Sequence, residues 1–137
     1  MDGFITIAGY DTTDEIKARA DVVCSGKNDE QTIQKTVDEC VKQGKNIYLF
    51  NGTYVIDGFY ELEDNGPKCA VCFPNCKREI SIVGQNLTYG KKGNGVVFYV
   101  TKEALDTVDD EGADVLRTTW TDLGLGNGSC LRMENIQ

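Results

Sequence analysis

The segment that most constrains this chain is residues 29–43, DEQTIQKTVDECVKQ, set between short runs of strand-forming residues. Ile33, Val37, Cys40 and Val41 recur at helical spacing, giving one apolar face on an otherwise polar segment. Asn28 and Asp29 are residue types that accept from the orphan N–H groups of a helix start, and Asp29 and Glu30 place negative charge there. Gly44 is a natural left-handed terminator, with Lys42 in the last turn. Val22-Val23-Cys24 reads as a strand before the helix, closed by Ser25-Gly26. Ile47-Tyr48-Leu49-Phe50 reads as a strand after it, Asn51-Gly52 as a turn, and Thr53-Tyr54-Val55-Ile56 as a further strand.

The rest of the chain continues in short strands. Phe4 to Ala8 alternates and suggests an extra strand laid across the helix, and Thr13 or Asp14 starts a short helix through Ile16. Beyond residue 56, strand-type runs fall at 59–62, 69–73, 79–84, 96–100, 115–120 and 130–136, separated by Gly, Asn and Pro turns. A short helix through Ala104 and Leu105 lies among them. Ile80 and Ile82 alternate with Glu79 and Ser81, as do Leu131 and Met133 with Arg132, the pattern of strands with one face inward. The intervals of roughly 15 to 25 residues fit solenoid coils with variable loops. An antiparallel sandwich would give similar runs.

The run ADVVCSGKNDEQTIQKTVDECVKQGKNIYLFNGTYVI, residues 20–56, resembles the N-terminal signature of right-handed parallel β-helix proteins of the pectate-lyase-like superfamily. In that group an AD-hydrophobic-CxGxxDE-helix segment leads into a strand and a GTY turn. The resemblance implies a mostly β chain: a right-handed parallel β-helix with an N-terminal capping α-helix, ending early. Residues 1–45 would hold the first strand and the cap, and 46–137 the first coils. It implies polysaccharide as partner, bound or processed, with catalysis carried by later coils. The same opening serves non-catalytic adhesins and phage-tail or cell-surface modules, because fold does not fix function.

Composition narrows the classes. A net charge of −8 over 137 residues argues against a nucleic-acid surface, which needs clustered Lys and Arg. No apolar run approaches a membrane span, and the first residues lack the basic and apolar regions of a signal peptide. The chain has no His, which excludes His-based nucleophile activation and His metal ligation.

Candidate chemistry is sparse. Cys69, Cys72 and Cys76 form the one cysteine cluster. Three thiolates fall short of a structural zinc site, and a strand would turn Cys69 and Cys72 to opposite faces. Cys24 and Cys40 are expected close together under the helix, with buried thiols favoured over a disulfide. The acidic residues Asp106, Asp109, Asp110 and Asp114 are candidate ligands for Ca²⁺, the cation the resemblance implies, although their spacing matches no calcium loop. Trp120 and Arg117 are the candidate carbohydrate contacts, with Tyr48, Tyr54, Tyr60, Phe98 and Tyr99 as further aromatics. A last strand ending at residue 137 would leave Leu131, Met133 and Ile136 as an uncovered inward row, from which self-association through the C-terminal end is expected.

Overall fold

A computed structural model describes residues 1–61, 68–73, 79–86, 95–109, 112–118 and 130–134. The elements run in order: β1 (Phe4–Ala8), α1 (Asp14–Lys17), β2 (Val22–Val23), α2 (Asp29–Gln43), β3 (Asn46–Leu49), β4 (Gly52–Ile56), β5 (Tyr60–Glu61), β6 (Lys68–Phe73), β7 (Glu79–Gly84), β8 (Val96–Val100), α3 (Lys102–Leu105), β9 (Ala113–Thr118) and β10 (Cys130–Glu134). Among the described residues they make three sheets, and no sheet closes into a barrel. The first has the order β10-β7-β3-β1-β2, all parallel; the second pairs β4 with β8 in parallel; the third has the order β5-β6-β9, with β5 antiparallel and β9 parallel to β6.

The pairing explains the short strands. Each of β3, β4 and β6 belongs to a different sheet, and its parallel partner arrives only some 35 to 45 residues later. Parallel neighbours require such crossovers. In-register rows of like residues result. Ile5, Ile47 and Ile82 stand side by side across β1, β3 and β7, and Met133 of β10 is in register with Ile82. Leu131 is in register with Ile80, while Ile136 lies outside the described residues. Tyr54 meets Phe98 edge-on with ring centroids 6.0 Å apart.

The core is the meeting of these rows with one face of α2. Ile33, Val37 and Cys40 are fully buried, and Val41 packs half-buried at the margin. Ile47, Leu49, Tyr54, Phe73, Ile80 and Ile82 are also fully buried. The helix stops at Gly44, whose φ of +68° is a conformation glycine adopts without Cβ strain. α3 is capped by Thr101, whose hydroxyl accepts from the Ala104 N–H.

One expectation is corrected by the topology. β1 does not lie across the helix as an added strand; it joins the main sheet between β2 and β3 and runs parallel to both. Its sequence, FITIA, has Ile5, Thr6, Ile7 and Ala8 all buried, so both faces are covered, the condition under which a strand reads as continuous rather than alternating.

Val37 has no exposed surface, so Val37→Asp buries an unpaired charge. The substitution should lower unfolding stability by roughly 3 kcal/mol or more in urea denaturation. An unchanged midpoint would refute this placement of the helix face.

Candidate functional site

A strand edge with unmatched N–H groups must find acceptors when it is covered. β4 presents such an edge. Its even-numbered residues face β8: Gly52 N–H donates to Gly95 O, and Ile56 O accepts from Thr101 N–H. The N–H groups of Thr53, Val55 and Asp57 therefore point the other way, and each meets a carboxylate. Thr53 N–H donates to Asp11 Oδ1 at 2.7 Å, and its hydroxyl to Asp11 Oδ2 at 2.8 Å. Val55 N–H donates to Asp29 Oδ2 at 2.8 Å, and Asp57 N–H to Glu30 Oε1 at 2.8 Å.

The start of α2 is built into this row. Asp29 and Glu30 are both fully buried. Asp29 Oδ1 also accepts from Gly26 N–H at 3.0 Å. Glu30 Oε2 accepts from the Tyr60 hydroxyl at 2.7 Å, and that hydroxyl accepts from Gln31 Nε2 at 3.0 Å. Asp57 answers by accepting the Asn28 N–H at 2.6 Å. Asn28, expected to cap with its side chain, makes no side-chain cap bond; it takes the left-handed region at φ 52°, which Asn tolerates better than most residues. The turn it makes delivers Asp29 and Glu30 inward, and their function is to terminate β4 as much as to offset the helix dipole.

Side-chain acceptors serve two further strands in the same way. Gln34, one turn further along α2, brackets Cys72 of β6: Cys72 N–H donates to Gln34 Oε1 at 2.7 Å, and Gln34 Nε2 donates to Cys72 O at 2.9 Å. The carboxamide stands where a neighbouring strand would stand. On β1, Thr6 N–H and hydroxyl both donate to Asp21 Oδ2, at 2.9 and 3.1 Å.

Burial sets the electrostatics. Desolvation holds the Asp29 carboxyl above the usual range, against the lowering effect of the Val55 and Gly26 N–H groups, and the nearby Asp57 and Asp11 charges add to the rise. Burial, with the Asp29 charge, pushes the Cys24 thiol up to about 12. Tyr54 is fully buried and its hydroxyl is directed at Phe50 O and Ile7 O, 2.6 and 2.9 Å away; burial first, then the Cys24, Asp11 and Asp29 charges, raise it further above its ordinary value. Tyr60 is also raised, by burial first and with Glu30 contributing.

Beside the cap a cleft of about 360 Å³ opens between α2 and β6, lined by Gln31, Gln34, Tyr60, Ala70 and Cys72 among others. A second, of about 480 Å³, lies between α2 and the β1–β2 edge, with Ile5 and Val22 at its base and Lys35 and Glu39 beside it.

Of the acidic and glycan-contact candidates, those that are described lie after α3 and on β9. Asp106 follows α3 and pairs with Lys102 at 3.0 Å. Asp109 accepts the Gly112 N–H through its backbone carbonyl, Asp114 is exposed on β9, and Asp110 lies outside the described residues. Among the described residues no group of three or more Asp, Glu or Cys is placed to hold a metal ion. Arg117 is on β9 in register with Cys72, and Trp120 lies outside the described residues. Cys69 is buried and Cys72 half-buried, both as thiols, as are the buried Cys24 and Cys40; Cys76 lies outside the described residues. Tyr99, Tyr10 and Tyr60 are the aromatics with large exposed surface among the described residues. Asp11, Asp57 and Gln34 carried no sequence signal of their own, since a capping acceptor is recognised only once the strand edge it serves is known. Compared with protein-family profiles, with functionally characterised proteins and with solved structures, the chain matches none.

Replacing Asp29 with Asn keeps one acceptor but turns an NH₂ toward the second N–H, so Asp29→Asn should cost about 1–3 kcal/mol at neutral pH. A carboxyl whose folded-state pKa is raised contributes stability that is present below its unfolded pKa and lost as pH rises through the folded value. The wild-type stability curve should therefore carry a decline across the window just above the ordinary Asp range that the Asp29→Asn variant lacks, checked by urea titrations over pH. Thiol labelling gives a second check. Cys24, protonated and 2% exposed, should resist alkylation in the native chain and react on unfolding.

Proposed function

We propose that this chain is the closed, leading end of a right-handed parallel β-helix, and that it caps and templates a scaffold for contact with polysaccharide. The observation supporting this reading is the order of pairing. β3, β4 and β6 lie in three separate sheets, and β7, β8 and β9 pair in parallel with them in the same order before β10 returns to β7. A chain winding through three sheets per coil gives this order, and the right-handed preference of parallel crossovers gives the hand. Carboxylates along the β4 edge and Gln34 on the β6 edge are what a terminal cap requires. Kinship with the pectate-lyase-like superfamily is proposed on residues 20–56.

On this reading catalysis belongs to further coils. Arg117 and Trp120 are its candidate glycan contacts, and Asp106, Asp109, Asp110 and Asp114 its candidate calcium ligands. Among the described residues β8, β9 and β10 each pair on one side only, so self-association would run through those edges. The decisive assay incubates the purified chain with polygalacturonate and Ca²⁺ and follows unsaturated product in the ultraviolet. No turnover is expected; turnover abolished by Asp106→Asn or Asp114→Asn would overturn the scaffold reading. Glycan retention without turnover would place the chain with adhesin or tail-spike modules. The capping role has its own test. Asp11→Ala combined with Gln34→Ala strips acceptors from two edges, at roughly 1–3 kcal/mol each, and should shift the chain toward larger species in light scattering. A variant as stable and as monodisperse as wild type would show that these side chains do not close the sheet.

A further inference from the structure

Asn51-Gly52 makes the turn from β3 to β4, and the glycine is imposed by packing. A Cβ at Gly52 would stand 2.5 Å from Thr12 Oγ1 and 3.1 Å from Asp11 Oδ1. The fold thereby retains a dipeptide prone to spontaneous deamidation, since glycine offers no side chain to hinder ring closure. In that reaction base removes the Gly52 amide proton and the nitrogen bonds to Asn51 Cγ. The Cγ–Nδ2 bond breaks and ammonia leaves. Water then opens the succinimide at either carbonyl, giving Asp or an isoaspartyl linkage.

The backbone groups on both sides of the reacting bond are restrained here. Gly52 N–H donates to Gly95 O at 3.0 Å, at the start of the β4–β8 ladder. Asn51 N–H donates to Gln85 Oε1 at 3.0 Å, and Asn51 O accepts from Thr12 Oγ1 at 2.8 Å. Asn51 Oδ1 is buried and accepts no hydrogen bond among the described residues, so no donor waits for the oxyanion that develops at Cγ. We propose that Asn51 is a deamidation site gated by the β4–β8 pairing: silent while Gly52 N–H is bonded to Gly95, reactive once β8 lifts away. The product opposes re-pairing. A carboxylate at position 51 would sit where an oxygen is buried without a donor, near the Asp11 carboxylate that lies against Gly52. An isoaspartyl linkage would lengthen the main chain in the same turn. A transient opening thus becomes a lasting defect.

The test incubates the full chain at mildly alkaline pH, with and without urea, and maps peptides by mass spectrometry for the gain of roughly one dalton at position 51 that replacing NH₂ by OH produces. Asn65, Asn94 and Asn127 are also followed by Gly and calibrate the unfolded rate within the same chain. In urea all four should convert at comparable rates. Without urea, Asn51 should convert at least about tenfold more slowly than in urea. Phe98→Ala removes the β8 ring packed against Tyr54 and should accelerate native conversion while leaving the urea rate unchanged. Val100→Ala is the milder variant should Phe98→Ala fail to fold. Across variants the conversion rate should scale with hydrogen exchange at the Gly52 amide, the same proton that must be released. A native rate equal to the urea rate, a folded β8 variant that exchanges faster at Gly52 without converting faster, or no conversion at Asn51 in urea would each overturn the proposal.

Discussion

The structure depends on how the first strand row is closed. A parallel sheet whose outermost strand is packed under a helix leaves alternate N–H groups facing that helix, and no strand is there to receive them. Here Asp11, Asp29 and Glu30 accept from Thr53, Val55 and Asp57 in succession, at the two-residue period of the strand itself. The three acceptors come from a loop and from the first turn of α2. The side chains thus imitate a strand that does not exist. Charged acceptors bond more strongly than neutral ones, which offsets part of the cost of burying Asp29 and Glu30.

That arrangement also fixes the helix. α2 is held at its N-terminus by carboxylate bonds to the β4 edge, in its first half by the Gln34 clamp on β6, and along its face by Ile33, Val37 and Cys40. Polar bonds set the axial position and apolar burial supplies most of the driving force, at roughly 25 cal/mol per Å². Tyr54 joins the two systems, its ring in the core against Phe98 and its hydroxyl on the backbone carbonyls of β1 and of the β3–β4 turn.

Much of the local structure was legible in the residues. The spacing of Ile33, Val37 and Cys40 and the glycine at position 44 marked α2, and the alternation of Ile80 and Ile82 marked an inward face. The destiny of Asp29 and Glu30 was not legible. Two acidic residues at a helix start ordinarily stay in solvent, and only the approach of β4 makes them buried acceptors. Asp57 gave no sign either, because its role depends on Asn28 adopting the left-handed region. The place of β1 is not legible for a related reason: a two-sided burial pattern does not say which strands lie alongside. Asp106 follows α3, Asp109 lies between α3 and β9, and Asp114 is on β9; nearness in sequence does not say how such residues are placed.

The caps lie early in the chain, and this bears on how the sheets are made. Residues 11–34 close the edges of β4 and β6, so that side is complete once residue 73 has been synthesised. The opposite partners come later: Ile82 for Ile47, Phe98 for Tyr54 and Leu116 for Val71. Non-local parallel pairing is slow, and an unpaired strand is exposed to wrong partners while it waits. With one side already closed, each arriving strand finds a single edge to join. Assembly becomes vectorial, in the direction in which the ribosome delivers the chain.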